Sequence, residues 1–177
     1  LWEVQRKALE EAVQVFGRGF VTTHLIVGLG ESERNIAQTI QWCVDLGVFP
    51  ALFAFTPIDG TALERYPQPS LSRYRIIQVA RYLIVHGEAR CKNMKFSKDG
   101  RLIDFGTSQE QLLKTIRNGR PFLTSGCPSC NRPYYNEGPG GPIYNYPQHP
   151  SQDEVTEIEK EIRGSVATLD DKAYKHH

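Results

Sequence analysis

Two groups of residues in this 177-residue chain have the types and spacing that chemistry needs. Cys127-Pro128-Ser129-Cys130 sets two thiols in a stretch rich in proline and glycine. A turn there can point both sulfurs at one metal ion, zinc for instance, or at one iron of a cluster. A redox dithiol is the other chemistry open to the pair, but it favours a helix start after a strand. The following Asn131-Arg132-Pro133-Tyr134-Tyr135 does not open a helix, and an inert turn is the third alternative. The pair fills only half of a tetrahedral site, so Cys91, His149, a substrate or a partner chain would supply the rest.

The second group is Ile26-Val27-Gly28-Leu29-Gly30-Glu31, at the end of a strand-like run. Glycines there let a backbone approach a ligand closely, and the next helix offers free N–H groups. A tight βα turn uses glycine in the same way. The segment lacks the three-glycine spacing of a dinucleotide fingerprint and the Lys-Ser/Thr of a phosphate loop. His24 lies two residues before Ile26 and so on the same strand face, where it can meet a substrate, move a proton or sit hydrogen-bonded in a core. Arg90 and Cys91 are neighbours in a predicted strand, so one of them at most faces a site. Cys43, among apolar residues, reads as a buried thiol, and His86 as the end of a helix.

The elements that position these groups follow from hydrophobic periodicity. Val4, Ala8, Leu9, Ala12, Val13 and Phe16 recur at helical spacing over residues 2–16, and Gly17 stops the run. Phe20 to Val27 is a near-continuous run of β-formers, the signature of a buried parallel strand. Ser32 caps a helix over 33–46, closed by Gly47. A second buried strand runs from Val48 to Phe55, a helix over 72–85, and a third strand near Ala89–Phe96. Helix–strand alternation predicts an α/β fold, either a (β/α) barrel or a doubly wound sheet, with too few units to close eight strands. Beyond residue 100 come a turn at Lys98-Asp99-Gly100, a short extended piece and a helix over 108–118. A Pro/Gly/Tyr-rich lid over 126–150 and a polar helix over 152–163 follow. The expected organisation is 1–106 partial barrel, 107–150 extension carrying the cysteine pair, and 151–177 polar helix and frayed tail.

With 21 basic and 20 acidic residues there is no charge surplus to draw nucleic acid or an anionic membrane. No apolar run is long enough for a membrane helix. Four cysteines in a chain of this size make no secreted disulfide framework, which favours a cytoplasmic setting. The chain opens on Leu1 in mid-helix, so further protein is expected upstream; Lys175-His176-His177 is set aside as a possible tag.

Together these pieces resemble the radical S-adenosylmethionine (SAM) superfamily, in its biotin synthase/lipoyl synthase branch. Barrels of that family carry a G-x-I-x-G-x-x-E pattern on their fifth strand. His24 to Glu31 matches it at Ile26, Gly28 and Glu31 and departs at His24, which replaces the first glycine. Asp59-Gly60-Thr61-Ala62-Leu63 is similar to the loop after the sixth strand, and Gln78-Val79-Ala80-Arg81 to the "A-V-A-R" of the next helix. The tail from Ser125 to Pro147 resembles the split, two-subunit lipoyl synthase group. The resemblance implies the C-terminal part of a partial TIM barrel, with SAM against Ile26, Gly28 and Glu31. It places Arg90 near an auxiliary cluster and, with His24, against the substrate cavity. An auxiliary iron–sulfur cluster, or zinc, would sit on Cys127 and Cys130, with Cys91 as a further ligand. The family's Cys-x-x-x-Cys-x-x-Cys triad is absent from this chain. The implied partners are therefore a missing N-terminal half-barrel or partner subunit and a small-molecule or lipoyl-type substrate, and an isolated piece would form homo-oligomers through its open edge. The alternative function is a non-catalytic, metal- or cluster-stabilised binding subunit.

Overall fold

A computed structural model describes residues 2–125, 141–164 and 166. It is an α/β structure in which α1 (Trp2–Phe16), β1 (Val21–Val27), α2 (Glu33–Leu46), β2 (Val48–Ala54) and α3 (Leu71–Val85) follow in order. Then come a short hairpin of β3 (Lys95–Phe96) and β4 (Leu102–Asp104), α4 (Gln109–Arg117) and α5 (Gln152–Arg163). These bounds agree with the periodicity to within a residue or two from α1 through α3, and again at α4 and α5.

β1 and β2 pair in parallel, from Val21↔Val48 to Val27↔Ala54, with α2 as the crossover. Local chemistry fixes both ends of that helix. The Ser32 hydroxyl accepts from the Asn35 N–H while the Asn35 side chain accepts from the Ser32 N–H, a reciprocal cap. At the other end Gly47 takes the left-handed conformation (φ 89°) and returns its N–H to α2.

Partners in a parallel pair share a face. Val21, Thr23, Leu25 and Val27 lie with Val48, Pro50, Leu52 and Ala54 on the side that packs on the helices, where Val27, Val48, Leu52 and Ala54 are buried. Thr22, His24 and Ile26, all exposed, share the opposite face with Phe49, Ala51 and Phe53, of which Ala51 is buried. Phe55 donates its N–H to the Val27 carbonyl, so odd-numbered residues of both strands aim their backbone groups at each other. The even-numbered residues of β2 face the sheet's other edge, where Pro50 has no N–H and its carbonyl accepts from Arg81 Nε at 2.6 Å.

The third strand expected near Ala89–Phe96 does not join this sheet. Residues Cys91–Asn93 form a single 3-10 turn, and Lys95–Phe96 pairs antiparallel with Leu102–Asp104. Arg90, Lys92, Asn93 and Lys95 recur too often for a strand buried on both faces. Among the described residues, Ser125 does reach that edge of β2: the Leu52 N–H donates to Ser125 Oγ at 3.3 Å.

One hydrophobic cluster runs from Val27 to Val166, joining α2, α3, α4 and α5. α3 is its centre, buried almost continuously from Tyr74 to Ile84. Glu33, 4% exposed, ties three elements together there. Its carboxylate accepts from Arg73 Nε at 3.1 Å and from the Leu102 N–H at 2.5 Å. Glu33→Ala orphans both donors, and a loss of about 2 kcal/mol is expected in urea unfolding. Glu33→Gln, which keeps an acceptor, should lose less than half of that.

Candidate functional site at the carboxyl end of the strands

The glycine turn sits where the carboxyl end of β1 feeds α2. Gly28 has φ 109° and Gly30 φ 105°, conformations that side-chain-bearing residues rarely adopt. Glu31 locks the turn: its two carboxylate oxygens accept from the Gly28 N–H at 2.7 Å and from the Leu29 N–H at 2.9 Å. The family resemblance implies that Glu31 contacts the cofactor, whereas in the folded chain its carboxylate is engaged with its own backbone. Glu31→Ala is expected to cost about 1–2 kcal/mol and to release both amides to faster hydrogen exchange.

Beside the turn lies a cavity of about 210 Å³ between Gly28, Gly30 and Glu31 on one side and Tyr66 to Ser70 on the other, with Arg73 and Ile77 from α3. Tyr66 packs edge-on against Phe55, with ring centroids 5.8 Å apart. Pro69 is pinned from behind, since the Tyr144 hydroxyl donates to its carbonyl at 2.6 Å. Ser70 heads α3 without its side chain capping the helix, so first-turn N–H groups face this end of the molecule. The cavity therefore offers amides, a phenol and a guanidinium over an apolar floor of Val27 and Ile77. That suits a small ligand carrying acceptor groups.

Of the residues singled out by sequence, His24 and Ile26 share the sheet face turned away from the helices, with Ile26 49% exposed. The His24 ring meets Phe53 edge-on at 4.8 Å. Ile26 does not line the cavity at the turn; Val27 does. Arg90 and Cys91 lie elsewhere. Arg90 pairs with Asp45 at 2.8 Å, in the last turn of α2, and the Cys91 N–H donates to Gln41 Oε1 at 3.0 Å. Because α2 runs antiparallel to the strands, both belong towards their amino end, away from the turn. Arg90 thus stands apart from the glycine turn, because a 3-10 turn replaces the predicted strand.

The Cys91 thiol is buried and pushed up by desolvation, and Cys43, wholly buried, is pushed up to about 11. Neither is a ready nucleophile at neutral pH. Among the described residues no group of three or more His, Cys, Asp or Glu side chains can hold a metal ion. Cys127 and Cys130 lie outside the described residues. His149 is exposed and stands against Gly119, just past α4.

No family model matches this chain. Searches of curated proteins and of solved structures return no match either. The site is therefore read from its own geometry. Tyr66, Ser70 and Arg73 are the lining residues that spacing did not reveal; they converge only because the 55–70 loop folds back over Gly28. No helix among the described residues is long and apolar enough to cross a membrane.

Proposed function

We propose that this chain is the C-terminal part of a radical SAM enzyme of the biotin synthase/lipoyl synthase type, acting in sulfur insertion. The observation that carries the reading is the parallel β1–α2–β2 unit with its glycine turn at the carboxyl end, on the residues Ile26, Gly28 and Glu31 that match the family pattern. In open α/β sheets ligands bind outside the carboxyl ends of the strands, at such turns.

The unpaired edge of β1 also supports an incomplete barrel. Thr22, His24 and Ile26 aim their backbone groups away from β2 and have no backbone partner among the described residues. α1 meets α2 through Trp2 against Trp42 at 5.9 Å and buries none of its residues. Phe20, 83% exposed, and Ile26 lie along the same side. A missing half-barrel or partner subunit would cover them.

In this reading the cofactor supplies the radical chemistry when bound to its cluster. The described residues offer no ligand set for that cluster, so its cysteines come from outside them. The chain's own part is to hold the Gly28 turn open through Glu31, to present Ile26 and Gly28 near the adenosine, and to face the substrate with His24. Cys127 and Cys130 hold an auxiliary cluster or zinc.

The test is to reconstitute the protein, with whatever precedes Leu1, using iron and sulfide, and to measure SAM cleavage. Turnover that is lost on replacing an upstream cysteine triad is the expected result. A complete protein with no such triad and no SAM cleavage would sink the reading. One tightly held zinc per chain, removed by Cys127→Ser, would instead favour the non-catalytic binding subunit.

A further inference from the structure

The chain's only two tryptophans, Trp2 and Trp42, meet in one place, with ring centroids 5.9 Å apart and planes tilted by 58°. Both line a cavity of about 270 Å³ between α1, β1 and α2, which shares no lining residue with the cavity at the glycine turn. Trp2, Gln5 and Leu9 recur at helical spacing, so α1 turns one face to this cavity, with the small Ala8 beside them. α1 buries none of its residues, and the gap is left open along that face. Thr23 lines it from β1 and the buried Cys43 from α2.

A void of this size forfeits dispersion contacts that a molecule of the right shape restores, and a cavity of about 150 Å³ already takes benzene. Two indole rings in the wall favour an aromatic guest, stacked or edge-on. Among the described residues no Asp, Glu, Lys or Arg lines the cavity, and Cys43 keeps its proton at neutral pH, so a charged guest would go unanswered. Polar recognition falls to the Gln5 amide and the Thr23 hydroxyl, side chains with no hydrogen-bond partner among the described residues. A primary amide presents a donor beside an acceptor, and its complement is another amide edge. We propose that this cavity binds a flat, uncharged, bicyclic aromatic molecule with a lactam edge, an N–H beside a C=O. The rings lie against Trp2 and Trp42, and the lactam edge pairs with Gln5. The inference stands apart from the SAM reading, since a chain that never meets SAM would still hold such a ligand.

The probes are 2-quinolone, which carries that edge, and its N-methyl derivative, which keeps the carbonyl but has lost the N–H. Each is titrated into isotopically labelled protein, where the only two indole N–H signals both belong to the cavity. 2-Quinolone is expected to shift both signals saturably, and to bind about tenfold more tightly than the N-methyl derivative. Gln5→Ala should fold, because Gln5 is exposed, and should bind the two probes alike. Ala8→Phe fills the cavity and should bind neither; if it fails to fold, Gln5→Ala alone decides. Equal affinity of the wild type for the two probes overturns the proposal, as does a preference that survives Gln5→Ala. So do indole shifts that never saturate, or a folded Ala8→Phe variant that binds 2-quinolone as tightly as the wild type.

Discussion

Arg75→Met is expected to release the C-terminal strap, residues 143–146, from α3 and to lower stability by about 3 kcal/mol. Arg75 is 2% exposed, and its guanidinium donates to Gln78 Oε1 at 2.8 Å, to the Tyr144 carbonyl at 2.5 Å and to the Ile143 carbonyl. The rings of Phe122 and Tyr146 lie 5.5 and 5.2 Å from its centre. Methionine fills much of the volume but leaves those acceptors short of a donor in a dry interior, which is where the cost arises. Gln78 still serves the Tyr144 carbonyl at 3.0 Å, so the loss stays short of the sum of three bonds. The readout is the urea midpoint together with hydrogen exchange at Tyr146 and Thr124. Those two amides close the base of the strap, donating to the Phe122 and Tyr146 carbonyls at 2.8 Å each. Faster exchange at both is the local signature. A variant as stable as wild type, with both amides still protected, would mean that Arg75 does not hold the strap.

That network explains why part of the fold was legible in the sequence and part was not. α1, β1, α2 and β2 each carry one dominant period, and their ends carry glycines or a serine cap, so local residues sufficed. The same period misleads along α3. Arg75, Gln78 and Arg81 look like a solvated face, yet all three are buried. Two of them answer carbonyls or side chains of residues 144 and 145, and the third answers Pro50. Partners some 30 to 70 residues away leave no trace in a helical repeat. The stretch 89–96 failed for the opposite reason: it has β-formers, but its lysines and arginine suit a surface hairpin. At the candidate site, glycine spacing located the turn correctly. What Glu31 does there depends on two amides of its own loop, which spacing alone cannot distinguish from a ligand contact.

Gly28→Ala is the sharpest probe of that turn, with an expected loss of about 3 kcal/mol or more. Two costs add. At φ 109° a residue with a Cβ sits outside its allowed regions. The new methyl would also stand 2.7 Å from Pro69 Cδ, and Pro69 cannot retreat easily while Tyr144 holds its carbonyl. Gly30→Ala separates the two. Its φ of 105° is nearly the same, but the nearest atom is the Tyr66 hydroxyl at 3.2 Å, at the tip of a side chain that can swing. Its loss should be about 1–2 kcal/mol, mostly backbone strain. Pairing Gly28→Ala with Pro69→Ala then tests the clash itself: removing the proline ring should recover part of the loss, as a positive coupling in a double-mutant cycle. No coupling would leave backbone conformation alone as the reason for glycine at this position. In that case the close approach of Pro69 would not shape the cavity, and the turn's claim to a ligand would rest on Gly28's open backbone rather than on the walls around it.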